Sequence, residues 1–226
     1  DKFDIPFLKS FFKKGFSARP ITVKRANLFY QDINKGTISF INLDKVRINY
    51  NNKIKQDILI SEGDIYNIPF NILWKQDKNK LEQTTNLKFK KIKLQISNVV
   101  NLDSKGEKNK LQIYLNRSRY IVNYDKKDDI IEFLSDNSFI GNDKFTFSGK
   151  IFSDPFNFNV KSSLDSLKLK QLFSNSIFLR EIFSNDFVLN ENFNGKINFQ
   201  VKNLEKNPLF DKLNLNANFV GKTLDL

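Results

Sequence analysis

Apolar and polar side chains alternate with a period of two along much of this chain. Tyr66, Ile68, Phe70, Ile72 and Trp74 are apolar, with Asn67, Pro69 and Asn71 between them. The same rhythm returns at Phe145 and Phe147, at Phe156, Phe158 and Val160, at Ile197, Phe199 and Val201, and at Leu213, Leu215, Ala217 and Phe219. Period two sends successive side chains to opposite faces of a sheet. One face then collects Phe and Ile and the other Lys and Asn. That is the pattern of an antiparallel sheet with one apolar and one wetted side.

Turn chemistry divides the pattern into strands. Ile21 to Tyr30 reads as a first strand, Asp32 to Gly36 as a turn and Thr37 to Asn42 as the return. Leu43, Val46, Ile48 and Tyr50 alternate less cleanly. Turns are expected at Asn51-Asn52 and at Glu62-Gly63-Asp64, with Ile54 to Ile60 between them. Ile65 to Trp74 reads as the most regular strand, closed by a turn at Asp77 to Asn79. Thr84 to Val100 reads as one long strand or two. Its apolar parity changes across Lys90-Lys91, from Leu87 and Phe89 to Ile92, Leu94 and Ile96, which predicts a bulge.

Residues 101 to 110 form a polar loop. Leu111 to Leu115 and Tyr120 to Tyr124 frame a strand pair about Arg117-Ser118-Arg119, and Asp125 to Asp129 is a charged turn. Ile130 to Phe139 is ambiguous between strand and other structure. Lys144 to Phe152 and Phe156 to Lys161 form a hairpin about Ser153-Asp154-Pro155. Gly195 to Val201 and Lys212 to Val220 are the last strands, with Gly221 turning the second.

Two stretches depart from period two. Residues 3 to 14 predict a short helix, with Asp4 as its cap, Pro6 in the first turn and Gly15 at its end. Phe7, Leu8, Phe11 and Phe12 share one side of it and Lys9, Lys13 and Lys14 the other, so it either plugs a core or lies on a membrane surface. Leu167, Leu169, Leu172, Phe173, Ile177, Leu179, Ile182 and Phe183 predict helix within 164–184, capped by Ser163 or Asp165. Many strands joined by short turns make a sandwich or a barrel.

Composition narrows the chemistry. The 226 residues are 40% hydrophobic and 14% aromatic, enough for a sizeable core. No Cys is present, which excludes disulfides and thiolate metal sites, and no His, which removes the commonest general base and zinc ligand. A Ser-His-Asp hydrolase is therefore excluded, and no glycine-rich phosphate loop is found. No run of about 18 apolar residues offers a spanning helix. With no Met and a last strand reaching its end, the chain reads as a fragment of a longer protein.

The net charge is +12, which invites nucleic acid or an anionic membrane. Lys greatly outnumbers Arg, however, and Lys, Asn, Ile and Phe share A/T-rich codons, so compositional bias accounts for much of the excess. Tyr114, Arg117, Arg119, Tyr120 and Tyr124 mix aromatic and basic groups as single-strand binders do. No nucleic-acid motif accompanies them, so nucleic acid is the less favoured partner. The turn aspartates Asp64, Asp77, Asp103, Asp125, Asp128, Asp129, Asp143 and Asp154 are expected to bond their own backbone, and Asp125 to Asp129 lacks calcium-loop spacing. No metal, cofactor or catalytic residue is expected.

Two passages carry a resemblance. Leu164-Asp-Ser-Leu-Lys-Leu-Lys-Gln-Leu-Phe173 is followed by Asn194-Gly-Lys-Ile-Asn-Phe-Gln-Val201 and Leu213-Asn-Leu-Asn-Ala-Asn-Phe-Val-Gly221, while Pro20-Ile-Thr-Val-Lys-Arg-Ala-Asn-Leu-Phe-Tyr-Gln-Asp32 stands near the start. Together they resemble AsmA-like proteins over roughly two thirds of the chain, the first passage matching the family's C-terminal region.

The resemblance implies a periplasmic β-rich body, anchored in the inner membrane by a segment outside this chain, that moves phospholipid between membranes without catalysis. It implies a mainly β fold: a long antiparallel curved sheet forming an open groove or incompletely closed barrel, with short helices near 3–14 and 164–184. The sheet would span 20–161 and 195–226 as one body. Acyl chains would lie along Tyr66, Ile68, Phe70, Ile72, Trp74, Phe145, Phe147, Phe156, Phe158, Ile197, Phe199, Leu215 and Phe219. Expected partners are phospholipid or a membrane surface and envelope proteins. An assembly module, in which the same sheet scaffolds other envelope proteins without lipid cargo, is the alternative; alternation alone favours a packed sandwich over a groove.

Overall fold

The computed structural model describes residues 15–32, 36–65, 67–103, 109–167, 194–205, 210–221 and 223–225. They divide into two compact units, Asp1–Asn116 and Arg117–Leu226. The described residues form strands and turns and contain no helix. The predicted helix at 3–14 and most of that at 164–184 lie outside them. Residues 164–167 are described and are not helical: Leu164 ends a strand, Asp165 is a bend and Leu167 bridges Leu204 in parallel.

The first unit holds β1 (Ile21–Asp32), β2 (Gly36–Asn51), β3 (Gln56–Ile65), β4 (Ile68–Asp77), β5 (Glu82–Phe89), β6 (Leu94–Asn101) and β7 (Asn109–Leu115). Each pairs antiparallel with the next in sequence, and β1 does not return to β7, so this sheet is not a closed barrel. The second unit holds β8 (Ser118–Lys127), β9 (Ile130–Ile140), β10 (Asp143–Ser153), β11 (Phe156–Leu164), β12 (Asn194–Val201), β13 (Leu213–Val220) and β14 (Thr223–Asp225). It too is open. Its ladder is antiparallel except between β11 and β12, which run parallel. A parallel pair requires a crossover of a dozen or more residues. The stretch after Leu167, where alternation fails, is the one that makes this connection.

Bulges explain the irregular parities. Arg25 in β1 has φ 55° and falls where the ladder passes from Lys24 to Ala26. Asp44 is the extra residue where Leu43 and Lys45 face Gly63 and Glu62. Asp136 and Asn137 face the single residue Thr146. Each bulge bends its strand, raises the local twist and restores the apolar side chains to one face.

Several expected boundaries are corrected. Glu62-Gly63-Asp64 is not a turn; it lies inside β3 opposite the Asp44 bulge. The strand expected from Ile65 to Trp74 is broken by a hairpin turn, Ile65 ending β3 and Ile68 opening β4. Lys90 to Lys93 is a turn rather than a bulge, so Phe89 faces Leu94 and the two apolar parities meet on one side. Ile130 to Ile140 is a strand.

The turns Asn52 to Lys55, Lys78 to Leu81 and Lys90 to Lys93 share one form, each ending in a residue at positive φ (Lys55 51°, Leu81 52°, Lys93 52°). In the first two, the preceding residue caps the turn. Asn51 Oδ1 accepts from Lys53 N–H at 3.0 Å, and Asp77 Oδ1 from Asn79 and Lys80 N–H at 2.9 and 3.0 Å. Asx capping of this kind is why Asn and Asp favour turn starts.

Candidate functional site

Register turns the alternation into continuous rows. In the first unit, Val23, Val46, Ser61, Ile72, Leu87, Ile96 and Ile113 face one another in succession from β1 to β7. A second row runs Ile21, Ile48, Leu59, Trp74, Thr85, Asn98, Leu111 on the same face. Two residues along β4 from Ile72, Phe70 sets its ring 6.2 Å from that of Phe89. On the other face the intervening row is Thr22, Arg47, Ile60, Leu73, Asn86, Ser97 and Gln112, polar except at Ile60 and Leu73, and the row beyond Val23 is Lys24, Lys45, Glu62, Asn71, Lys88, Gln95 and Tyr114. One side of this sheet is therefore an apolar band crossing seven strands, on the order of 30 Å at strand spacing.

Among the described residues, the named strands of each unit touch only their ladder neighbours, so no named strand packs against either face. Phe70 and Trp74 are buried, whereas Ile21, Val23 and Leu28 remain 53%, 44% and 52% exposed. Leu87, Ile96 and Ile113 are half-buried.

One margin of the band is fixed by the entering chain. Phe16 sets its ring 5.5 Å from Trp74, and its N–H donates to Asp57 Oδ1 at 2.9 Å. Asp57 is 1% exposed and pairs with Lys78 Nζ at 3.3 Å. The same ammonium stands 4.8 Å above the Tyr50 ring, and Tyr50 N–H donates to Ser17 O at 2.7 Å. A charge this buried on an apolar face persists because it is paired and hydrogen-bonded.

In the second unit Phe145, Phe147, Gly149 and Ile151 of β10 face Leu164, Ser162, Val160 and Phe158 of β11. These in turn face Val201, Phe199, Ile197 and Gly195, and then Leu213, Leu215, Ala217 and Phe219. Two packed clusters form on this face. One joins Phe158, Ala217 and Phe219 with Ile151, Val160 and Ile197; the other joins Leu164, Leu167, Val201 and Leu204 with Phe145, Phe199 and Leu213.

The sequence-predicted residues thus separate into two co-facial sets. Ile68, Phe70, Ile72 and Trp74 share the face of the first unit. Phe145, Phe147, Phe156, Phe158, Ile197, Phe199, Leu215 and Phe219 share that of the second. Tyr66 lies outside the described residues. Sequence reading missed Val46, Ile48, Leu59, Leu87, Ile96 and Ile113, which complete the rows. Their signal was present as alternation but was masked by the Asp44 bulge and by the tight turn at Lys90.

Of the mixed aromatic and basic residues, Arg117 and Arg119 line one open cavity together with Phe139, Gly141 and Asn142. Arg119 stacks over Phe139 at 5.3 Å, and Phe139 pairs with Lys144. Tyr120, the next residue, sets its ring 6.2 Å from Phe145 on the opposite face. Among the turn aspartates, Asp77 bonds its backbone as expected. Its carboxyl is held below the usual 3.8, first by the Gln56 amide and then by Lys80 N–H.

Comparison with protein-family models, with curated proteins and with solved structures returns no match for this chain.

Proposed function

We propose that this chain is a non-enzymatic lipid-handling protein of the bacterial envelope, binding phospholipid acyl chains along its apolar sheet faces in the periplasm. The observation that carries the reading is the row from Val23 to Ile113. It is unbroken except at Ser61, and no other named strand packs on it. A hydrocarbon chain needs a dry, continuous track. Each methylene removed from water contributes about 0.8 kcal/mol, so a dozen contribute roughly 10 kcal/mol before the entropy of ordering is subtracted. Three of the passages resembling AsmA-like proteins fall on β1, β12 and β13, which adds support for an envelope role.

The test is to purify the chain from a diderm bacterium, extract it with organic solvent and identify lipid by mass spectrometry. Phospholipid is expected at a fixed ratio to protein. Ile72→Asp and Leu87→Asp should abolish its retention, while Gln95→Asp on the wetted face should leave it intact. A protein that is always lipid-free, or variants that retain lipid equally, would overturn the reading and leave a scaffold for other envelope proteins.

A further inference from the structure

Three turns of the first unit line up at one end of its sheet. Gln56 pairs with Asp77 and Glu82 with Asn101, which places the turns 52–55 and 78–81 and the loop beginning at Leu102 side by side. They are bonded in series. Lys78 N–H donates to Lys55 O at 3.4 Å, and Leu102 N–H to Leu81 O at 2.7 Å. At two strand spacings per turn, the row extends over about 20 Å.

Each turn exposes one large aliphatic side chain: Ile54 is 48% exposed, Leu81 46% and Leu102 44%. Leu81 stands at φ 52°, a conformation that a branched aliphatic side chain disfavours and glycine accepts freely. Exposed lysines flank these tips: Lys53 and Lys55 beside Ile54, and Lys80 beside Leu81. The nearby carboxylates are largely committed, Asp57 to Lys78 and Phe16, and Asp77 to Gln56 and the turn amides; Asp103 stays exposed.

We propose that this end of the first unit is a membrane-docking edge, inserting Ile54, Leu81 and Leu102 among the acyl chains of an anionic bilayer while Lys53, Lys55 and Lys80 meet its phosphates. Isolated aliphatic tips ringed by ammonium groups fit a surface that is apolar beneath and anionic above. A protein partner would instead be matched by a continuous apolar patch with few lysines at its centre. Docking is separable from lipid retention along the sheet face, because vesicle binding reads one and extracted lipid the other.

The experiment is co-sedimentation of the whole chain with phosphatidylcholine vesicles, with or without about 30% phosphatidylglycerol. Binding should require the anionic lipid and weaken steeply as salt rises. The triple variant Lys53→Gln, Lys55→Gln, Lys80→Gln should lose about 100-fold in affinity, near fivefold per lysine. The corresponding Lys→Arg triple should bind as wild type. Ile54→Ser, Leu81→Ser, Leu102→Ser combined should lose at least about 30-fold with unchanged circular dichroism. Ile92→Ser, at the opposite end, should change binding by less than about twofold. Equal binding to neutral vesicles, either triple variant within twofold of wild type, or an equal loss from Ile92→Ser would overturn the proposal.

Discussion

Phe158 and Gly195 are partners across the parallel strand pair, and the ring occupies the space a side chain on Gly195 would need. A Cβ built there stands 2.5 Å from two ring carbons of Phe158. Phe158 is 7% exposed and packs its ring 5.6 Å from that of Phe219, so it cannot retreat cheaply. Gly195→Ala is expected to destabilise the protein by about 1–3 kcal/mol, although alanine is otherwise the better strand residue. Urea denaturation measures it. Combining Gly195→Ala with Phe158→Leu should recover part of the loss, and simple additivity would refute the clash.

The bulge in β9 is held by two buried serines. Ser135 and Ser138, both 0% exposed, stand with their hydroxyl oxygens 2.5 Å apart, and Ile121 N–H donates to Ser138 Oγ at 2.8 Å. Ser138→Ala leaves two partners unsatisfied, and a loss of about 1–3 kcal/mol is expected. Amide exchange at Ile121 should accelerate beyond that of its strand neighbours.

Trp74 is the only tryptophan of the chain, so its emission reports its own margin of the sheet. Phe16→Ala removes the ring 5.5 Å away and should shift emission to the red. Asp57→Ala should do the same, because it deprives Phe16 N–H and Lys78 of their shared acceptor. A cost of about 1–3 kcal/mol accompanies the loss of a buried partner. An unchanged spectrum in both variants would show that the entering segment does not shield Trp74.

Asp77 makes one end of the sheet acid-sensitive. Its folded carboxyl titrates below 3.8, so the unfolded chain takes up the proton first as pH falls. The contribution of the ionised group is complete above about pH 4 and disappears as pH drops through the lower folded value. Wild type should therefore lose stability relative to Asp77→Asn as pH falls below about 4. Thermal melts of the two proteins across that range test the sign.

Phe156 to Val160 and Leu213 to Phe219 could be read as strands directly, because their alternation is uninterrupted and a regular ladder preserves it. The apolar face of the second unit was legible for the same reason. Leu43 to Tyr50 and Thr84 to Val100 were harder. One extra residue at Asp44, or a tight turn at Lys90 to Lys93, inverts parity locally, and linear reading cannot tell a bulge from a turn. The row from Val23 to Ile113 could not be read at all, since register depends on where each hairpin closes.

What the sequence determined by itself is the two-sidedness of the strands whose alternation is unbroken, because period two is a property of extended backbone and needs no partner. Only tertiary structure decided that β12 joins β11 in parallel and that, among the described residues, no named strand packs on the apolar band. It alone placed Ile54, Leu81 and Leu102 at one end. Those outcomes depend on pairing between segments distant in the chain. They are set by the joint free energy of many hydrogen bonds and contacts rather than by local preference.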